Sequence, residues 1–283
     1  MSRAPPEIDT TRLGRVAHRP DWSHGRLALL GDIHGNNHAF LAAYEAIKRA
    51  GLTRVAIHGD LLSYGCTPNE CLATLQRFLD DFDCVLLAGN HEAFYFVDAQ
   101  DTEVLFGPHS SMIADSIRWT RTQIEGLDLA QSFPWHDTAT IGPMIVRHAN
   151  PYRQGSWHYV DLEDDELEAA TEIEARGARW LVVGHTHRPR LTRVEANQAR
   201  RMPLEIPVAI RQEQTWIFNT GSIGQPRGNG STWLEIDLRR DDAGPSTARV
   251  HRLDYNIHDH LETVKSSGLP DETIARLCRY FVG

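Results

Sequence analysis

The sequence predicts an α/β fold in which short buried strands alternate with amphipathic helices. Two observations predict it. Six short apolar runs have the length of buried strands, and each is followed closely by polar residues. Between the early runs lie segments whose apolar residues recur at helical spacing. Alternation of this kind predicts βαβ units and a largely parallel sheet.

The six predicted strands share one further property, which is the chemistry of the residues after them. In chain order the runs are residues 27–30, 55–57, 84–88, 144–146, 180–183 and 216–218. Most of the residues that follow are able to bind a metal ion: Asp32 and His34, Asp60, Asn90 with His91 and Glu92, His148, His185 and His187, and Asn219. Ligands of such sheets gather at the carboxyl ends of the strands. The sequence therefore predicts that these side chains meet at one site.

Helices are predicted between and after these strands. Residues 39–50 place Phe40, Ala43, Tyr44 and Ile47 on one face. Similar patterns predict helices over residues 68–79 and 110–124, and a final helix over about 275–281, after Pro270.

The later part of the chain is different in character. Residues 191–252 are strand-like and interrupted by turn residues, which predicts hairpins. Residues 188–215 are long for a simple connector, and a lip of the cleft and an oligomer contact both remain open for them. No linker separates two folded units, so we expect one catalytic domain over residues 26–283, with a loose N-terminal extension over residues 1–25.

Composition excludes several classes of function. A net charge of −9 argues against a broad surface for long nucleic acid. No apolar run approaches the roughly 20 residues that cross a bilayer, and the polar start lacks the apolar core of a signal peptide, so we expect no membrane partner. Four scattered cysteines suit a reducing compartment. We therefore expect a cytoplasmic protein.

Taken together, the motifs resemble those of a known family. Asp-x-His at 32–34, Gly-Asp at 59–60, Gly-Asn-His-Glu at 89–92, the later His148 and Gly-His-x-His at 184–187 resemble the calcineurin-like metallophosphoesterase superfamily. Tyr64-Gly65, Pro68-Asn69-Glu70, residues 219–227 and the Gly-Leu-Pro at 268–270 look like the bacterial and archaeal branch of small predicted phosphodiesterases. The resemblance extends from residue 26 to the C-terminus. It implies a four-layer αββα sandwich, with two mixed β-sheets flanked by helices.

The resemblance also implies two divalent metal ions and their ligands. Asp32, His34 and His187 would hold the first ion, Asn90, His148 and His185 the second, and Asp60 would bridge both. Oxygen and imidazole ligands without thiolate suit Mn, Fe, Zn, Co or Ni better than Ca or Cu(I). His158 is the rival of His148 as the isolated ligand. His148 is preferred because it follows its apolar run directly, whereas His158 lies between Trp157 and Tyr159.

The implied activity is hydrolysis of a phosphoester bond by hydroxide generated on the metal pair. The resemblance places His91 just beyond the metals, where it would protonate the leaving group or neutralise a phosphoryl oxygen, and Asp60 and Asn90 would share in catalysis as ligands. Asn36 and Arg227 are candidate phosphate contacts. The expected substrate is a small phosphoester, a nucleotide among the candidates.

Three other functions stay open at this point. The first is a pyrophosphohydrolase of dinucleoside polyphosphates, and the second is a phosphatase that processes nucleic-acid ends. The third is a non-catalytic scaffold of the same fold, although all seven expected ligands and His91 are present. The segment after Asp60 reads Leu-Leu-Ser-Tyr-Gly rather than the Asp-Arg-Gly of phosphoprotein phosphatases, which argues against that activity.

Overall fold

The computed structural model describes residues 14–98, 102–103, 111–152, 156–228, 230–240 and 243–281. In this part of the chain one hydrogen-bonded sheet contains thirteen strands. They are β1 Gly14–His18, β2 Gly25–Leu30, β3 Arg54–His58, β4 Asp83–Leu87, β5 Trp135–Ile141, β6 Met144–Val146, β7 Trp180–Val183, β8 Arg190–Glu195, β9 Gln198–Arg201, β10 Val208–Ile210, β11 Thr215–Asn219, β12 Thr232–Leu238 and β13 Ser246–Arg252. All six predicted strands are confirmed.

The strand order is β10-β13-β12-β2-β3-β4-β5-β6-β7-β11-β8-β9, and β1 pairs with β5. Pairing is parallel between β2, β3, β4 and β5, and between β6, β7 and β11. It is antiparallel where β5 meets β6 and towards both edges of the sheet. The sheet is therefore mixed, and the expectation of a largely parallel sheet holds only for its two central parts.

Eight α-helices and one 3-10 helix, Pro20–Trp22, are present in the described residues. The α-helices are α1 Asn37–Arg49, α2 Pro68–Asp81, α3 Ala93–Phe96, α4 Ser111–Gln123, α5 Leu129–Ser132, α6 Glu163–Ala175, α7 Ile257–Lys265 and α8 Asp271–Cys278. The three earlier predicted helices are confirmed. The final helix runs from Asp271 to Cys278, so it begins four and ends three residues before the predicted bounds, and its first turn carries Asp271 and Glu272, whose charges are favourable there.

Three hydrophobic cores define four layers. The middle core collects inward side chains of both halves of the sheet, such as Leu29 and Leu87 of one half and Val182 and Phe218 of the other. On one outer face α1 and α2 cover β2, β3 and β4. On the other outer face α6 covers β6, β7 and β11. The predicted αββα sandwich is confirmed, and its two sheets are halves of one curled sheet joined through β5.

The helix layer over the first half of the sheet is held by aromatic packing. The Phe40 ring of α1 stacks on Phe78 of α2 with centroids 4.9 Å apart. Tyr44 meets Phe78 and Phe82 edge to face, at 5.3 and 5.6 Å. Such pairs contribute about 0.5–1.5 kcal/mol each beyond the burial of their area. They fix α1, whose N-terminal end lies at the site described below.

The N-terminal segment corrects one expectation. Residues 14–25 are not loose, because β1 pairs with β5 over four residue pairs and Trp22 is fully buried in the middle core. The Trp22 indole N–H also donates to the Asp83 carboxylate, 2.7 Å away. Residues 1–13 lie outside the described residues, and the division of the chain at residue 25 stays a prediction.

Residues 188–215 form β8, β9, β10 and the start of β11. The β8–β9 hairpin lies at one edge of the sheet and packs on α6, where the buried Glu166 accepts hydrogen bonds from Thr192 and Arg201. This segment is therefore part of the sandwich. None of the helices described has the length and apolar composition that a membrane span requires.

Candidate metal centre

The predicted ligands lie on the loops that follow five strands at one end of the sheet. Asp32 and His34 follow β2, Asp60 follows β3, and Asn90 follows β4. His148 follows β6, and the pair His185 and His187 follows β7. Parallel pairing aligns the carboxyl ends of β2, β3 and β4, and likewise those of β6 and β7. β5 starts beside the end of β4 and β6 returns antiparallel to it, so the carboxyl ends of the two halves meet, where ligands of such sheets gather. All seven are buried except Asn90, which is half-buried.

The backbone at these loops is unusual. Asp32, His34, Asp60, His185 and His187 have φ between 47° and 61°, although none of them is glycine. Non-glycine residues adopt this left-handed region rarely, and such strain clusters at functional sites. This conformation turns the backbone sharply at the end of each strand, so that the side chains point to a common centre.

The first group of ligating atoms comprises Asp32, His34, Asp60 and His187. The Nε2 atoms of His34 and His187 are 3.1 Å apart. His187 Nε2 is 3.3 Å from Asp32 Oδ1, and His34 Nε2 is 3.6 Å from Asp60 Oδ2. All four ligating atoms lie within 4.8 Å of one another, which is compact enough for one ion to contact them all.

The second group comprises Asp60, His148 and His185, so that Asp60 belongs to both groups. His148 Nε2 is 3.3 Å from Asp60 Oδ2 and 3.3 Å from His185 Nδ1. Asn90 completes this group, with its Oδ1 3.1 Å from His148 Nε2.

In each of the four histidines, the ring nitrogen that faces away from the centre donates a hydrogen bond to a backbone carbonyl. His34 Nδ1 donates to Leu62, His148 Nδ1 to His58, His187 Nδ1 to Gln225, and His185 Nε2 to Trp157, over 2.7–3.3 Å. These bonds leave the inward nitrogens as unprotonated acceptors when the rings are neutral. Metal-binding histidines are oriented in the same way.

The inward-facing atoms would repel one another without a cation. Unprotonated imidazole nitrogens face each other at 3.1 and 3.3 Å, beside two buried carboxylates. Without a metal, only protonation relieves this contact. Burial lowers the pKa of His148, but the Asp60 and Asp32 charges outweigh it and raise that pKa to about 10. Burial instead dominates at His185 and lowers its pKa to about 3. The donor set and its crowding thus fit divalent cations.

Glu92 fixes the loops that present the ligands. Its buried carboxylate accepts from the backbone N–H groups of Asp60, Leu61 and Gly89 over 2.6–2.8 Å. Burial, and then the charge of Asp60, raises the pKa of Glu92 to about 7. Glu92 therefore joins the loops after β3 and β4.

Glycine is required where these loops approach each other. A Cβ atom at Gly184 would lie 2.6 Å from His58 Cε1 and would also collide with the Asp32 carboxylate. His58 is fully buried beneath the centre, where its ring bonds to the Thr220 hydroxyl at 2.8 Å. It is the last residue of β3, and its carbonyl orients His148.

Comparison with known proteins identifies the family of this chain. The sequence model of the calcineurin-like phosphoesterase superfamily domain matches residues 26–241. This chain belongs to the calcineurin-like phosphoesterase superfamily. The uncharacterized protein MJ0912 of Methanocaldococcus jannaschii is 27% identical over 253 residues, which cover 87% of this chain and 94% of that protein.

Solved structures show the same phosphoesterase fold. A metallophosphoesterase from Sphaerobacter thermophilus is similar with a TM-score of 0.67 and 23% identity, over 90% of this chain and 99% of that one. The hypothetical protein PH1004 from Pyrococcus horikoshii is similar with a TM-score of 0.68 and 15% identity, over 89% and 97% of the two chains.

Within this chain, the two residues predicted to contact phosphate have different surroundings. Asn36 caps α1, since its Oδ1 accepts from the Ala39 N–H, and its Nδ2 donates to the Gly224 carbonyl and the Tyr255 hydroxyl. Both amide hydrogens are occupied inside the fold, so a phosphate contact does not suit Asn36 and we withdraw that prediction. Arg227 is half-buried beside the ligand loop, and its backbone N–H donates to the His187 carbonyl.

The remaining histidines separate by position. His91 is buried with its ring 4.9 Å from that of His34, and its backbone N–H donates to Asp60 Oδ1. His158 is exposed and binds Asp165, and His38 bonds to Thr263. The preference for His148 over His158 therefore agrees with the geometry.

Two tyrosines at the centre were not assigned a role from the sequence. Tyr64 lies 4.7 Å from the His34 ring and 4.9 Å from the His91 ring. Tyr159 stacks on His185 at 4.4 Å and is 41% exposed. In the sequence, Tyr64 belongs to the Tyr64-Gly65 pair on which the family resemblance partly rests, and Tyr159 is the neighbour of His158.

Proposed function

We propose that this chain is a two-metal phosphoesterase that hydrolyses a phosphoester bond of a small substrate, a nucleotide among the candidates. The observation that carries the proposal is the shared position of Asp60, whose carboxylate belongs to both groups of ligating atoms. Family membership supports hydrolase chemistry, and the two groups support a pair of ions rather than one.

A carboxylate shared between two metal ions reduces the repulsion between them. Two divalent ions about 3.5–4 Å apart repel by roughly 17–19 kcal/mol at an effective dielectric constant of about 20. An anion between them must offset that repulsion. Asp60 suits this place because its backbone N–H is held by Glu92 and its Oδ1 accepts from the His91 N–H, which fixes the carboxylate.

The ligands of the pair would be those predicted from the motifs. Asp32, His34, Asp60 and His187 would hold one ion, and Asp60, Asn90, His148 and His185 the other. When bound, the ions would lower the pKa of water and polarise the phosphoryl oxygens. The oxygen and nitrogen donors favour Mn, Fe, Zn, Co or Ni, and manganese is the ion that we would test first.

His91 would assist the departing oxygen. Its Nδ1 has no hydrogen-bond partner among the described residues. Burial, opposed by the Asp60 charge, lowers the pKa of His91 to about 4, so the ring is neutral at pH 7 in the free protein. A phosphate anion beside the ring would raise that pKa. His91 would then donate a hydrogen bond or a proton to the leaving oxygen, a contribution of typically ~10²–10⁴ in rate.

Arg227 is the candidate for binding the substrate phosphate. Its guanidinium lies near the Tyr159, Tyr64 and Tyr280 hydroxyls, and its Nε has no hydrogen-bond partner in the described part of the chain. A guanidinium with a free donor suits a phosphoryl oxygen. The exposed ring of Tyr159 on the same side would stack a base, which is why a nucleotide is among the substrates to test. Long nucleic acid is disfavoured by the net charge of −9.

The test is a substrate panel with a matched variant. Protein loaded with Mn²⁺ is assayed against bis-p-nitrophenyl phosphate, p-nitrophenyl phosphate and diadenosine tetraphosphate. We expect hydrolysis of at least one phosphoester. Asp60→Asn should abolish it and reduce the metal content of both sites, because the variant removes the shared charge. Asp254→Asn, at an exposed position, is the control and should behave as wild type.

Three outcomes would contradict the proposal or redirect it. Full activity in Asp60→Asn would overturn the role of Asp60. Cleavage of diadenosine tetraphosphate alone would favour a pyrophosphohydrolase. Inactivity of metal-loaded protein across a broad panel would favour a non-catalytic scaffold.

A further inference from the structure

A cavity of about 480 Å³ lies on the outer face of the sheet near the C-terminal end of α1. Four arginines line it: Arg26, Arg49, Arg249 and Arg252. We call it the arginine cavity. It is separate from the metal centre, because Arg26 is at the start of β2 and Asp32 lies beyond its end. Six residues of extended chain span about 20 Å.

Strand alternation builds the polar wall of this cavity. Leu27, Leu234 and Ile236 point into the middle core, so their neighbours Arg26 and Glu235 point outward. The pairing register places Glu235 opposite Arg249 on β13. On the other side, α1 ends at Arg49 beside the cavity.

Among the described residues, Glu235 is the one carboxylate that lines the arginine cavity, and it is already engaged. Glu235 Oε1 accepts from Arg26 Nε at 2.7 Å, and Oε2 is 2.8 Å from His251 Nε2. The His251 bond, and then Arg26, lowers the pKa of Glu235 to about 2 against the effect of burial. Arg26 also donates to the Ala50 carbonyl at 3.0 Å, so that it is held in place.

The other arginines differ in how far they are neutralised. Arg252 pairs with Glu205 at 2.6 Å, where both side chains are exposed. Arg49 and Arg249 have no ion-pair partner among the described residues, although Arg249 lies opposite Glu235. The cavity therefore carries uncompensated positive charge on a protein whose net charge is −9.

We propose that the arginine cavity binds a small molecule that carries one or more phosphate groups. Guanidinium groups match phosphate oxygens in charge and in geometry, and Arg49 and Arg249 are free to supply both. The volume of about 480 Å³ falls within the roughly 300–1,000 Å³ of small-molecule sites. A long nucleic acid would instead need a basic surface much wider than this cavity.

The test uses the full chain, stripped of metal by a chelator and then dialysed, and titrated with pyrophosphate in a calorimeter at low salt. Pyrophosphate carries two phosphates, has no base, and needs no metal for binding here. The cavity variant is Arg49→Gln with Arg249→Gln. The control is Arg200→Gln with Arg240→Gln, which removes the same charge from exposed arginines outside the cavity. Thermal unfolding confirms that each variant is folded.

We expect wild type and control to bind pyrophosphate within a factor of two of each other, and the cavity variant to bind at least tenfold more weakly. Equal binding in wild type and cavity variant would overturn the proposal. An equal loss in the control would show general surface charge and would overturn it as well. If a twelve-nucleotide single strand bound more tightly than pyrophosphate and lost this binding in the cavity variant, the ligand of the cavity would be nucleic acid and the proposal would be overturned. None of these results depends on the metal centre being active.

Discussion

Five of the predicted metal ligands adopt left-handed backbone without being glycine. Each such residue costs of order 1–3 kcal/mol unless its surroundings impose the conformation. Here the surroundings do so, since the backbone N–H of His34 donates to the Asp60 carbonyl at 2.8 Å and that of His185 to the Asp32 carboxylate at 3.0 Å. The strained residues therefore hold one another, and a bound cation would add to the restraint.

His91→Gln separates acid assistance from metal binding. The side chain is not among the grouped ligating atoms, so both ions should remain, while hydrolysis should fall by roughly 10²–10⁴. The loss should be smaller for p-nitrophenyl esters than for alkyl phosphoesters, because p-nitrophenolate needs little protonation. Metal analysis and kcat on both substrate types measure this. Loss of a metal ion would make His91 a ligand, and an equal loss on both substrates would exclude the acid role.

Arg227→Gln tests the phosphate contact. If the guanidinium binds a phosphoryl oxygen of the substrate, KM should rise at least tenfold at unchanged metal content, since a hydrogen bond to a charged group contributes about 1.5–3 kcal/mol. Arg188→Gln, which removes an exposed arginine from the same region of the chain, is the control. A KM equal to wild type in Arg227→Gln would remove this residue from the binding site.

At this scale the sequence predicts the ligands better than the residues that support them. The motif residues reach the centre because they follow the carboxyl ends of strands in both halves of the sheet, and these ends meet. Asn36 was misjudged because its position in the loop resembles that of a ligand, whereas its amide caps a helix. The carbonyl partners of the four histidines come from residues as far apart as Leu62 and Gln225, and any residue type has a carbonyl. Composition cannot reveal such a bond.

At the scale of elements, the contribution of β1 and the 3-10 helix to the free energy of unfolding can be measured. Trp22→Ala should lower the free energy of unfolding by about 3–5 kcal/mol, because a fully buried indole leaves a cavity in the middle core. Denaturant unfolding followed by circular dichroism measures this. Val16→Ala, which changes a 39% exposed side chain of the same segment, should cost less than about 1 kcal/mol. A Trp22→Ala protein as stable as wild type would show that the segment does not support the core.

The elements that sequence patterns missed share a physical cause. In α6 nine of the thirteen residues are not buried, and one of the four that are is Glu166, so no apolar stripe marks the helix. In β5, Trp-His-Asp-Thr-Ala-Thr-Ile, only three of seven side chains are buried, and the face that they share is interrupted by Asp137. The strands after which ligands occur are almost wholly apolar because both of their faces are covered, and such strands are the easiest to find.

At the scale of the whole molecule, the candidate metal centre joins the two halves of the sheet. Asp32, His34, Asp60 and Asn90 come from loops of the first half, and His148, His185 and His187 from the second. Each group of ligating atoms combines residues of both halves. Every ion bound there would therefore act as a cross-link between the layers on either side of the middle core.

Metal binding should accordingly raise the melting temperature. An ion that binds only the folded chain and is present at 100 times its Kd stabilises that chain by about 2.7 kcal/mol. Each kcal/mol of stabilisation raises Tm by roughly 2–4 °C in domains slightly smaller than this one. Addition of Mn²⁺ to chelator-treated protein should then raise Tm by about 5–10 °C in a calorimetric scan. Asp60→Asn should show a much smaller rise in Tm, because the Asp60 carboxylate contributes to both groups of ligands. Ca²⁺ should raise Tm less than Mn²⁺, because imidazole donors suit Ca²⁺ poorly. A Tm that does not respond to any of Mn, Fe, Zn, Co and Ni would mean that the seven side chains meet without binding a cation, and the cross-link between the two halves would be absent.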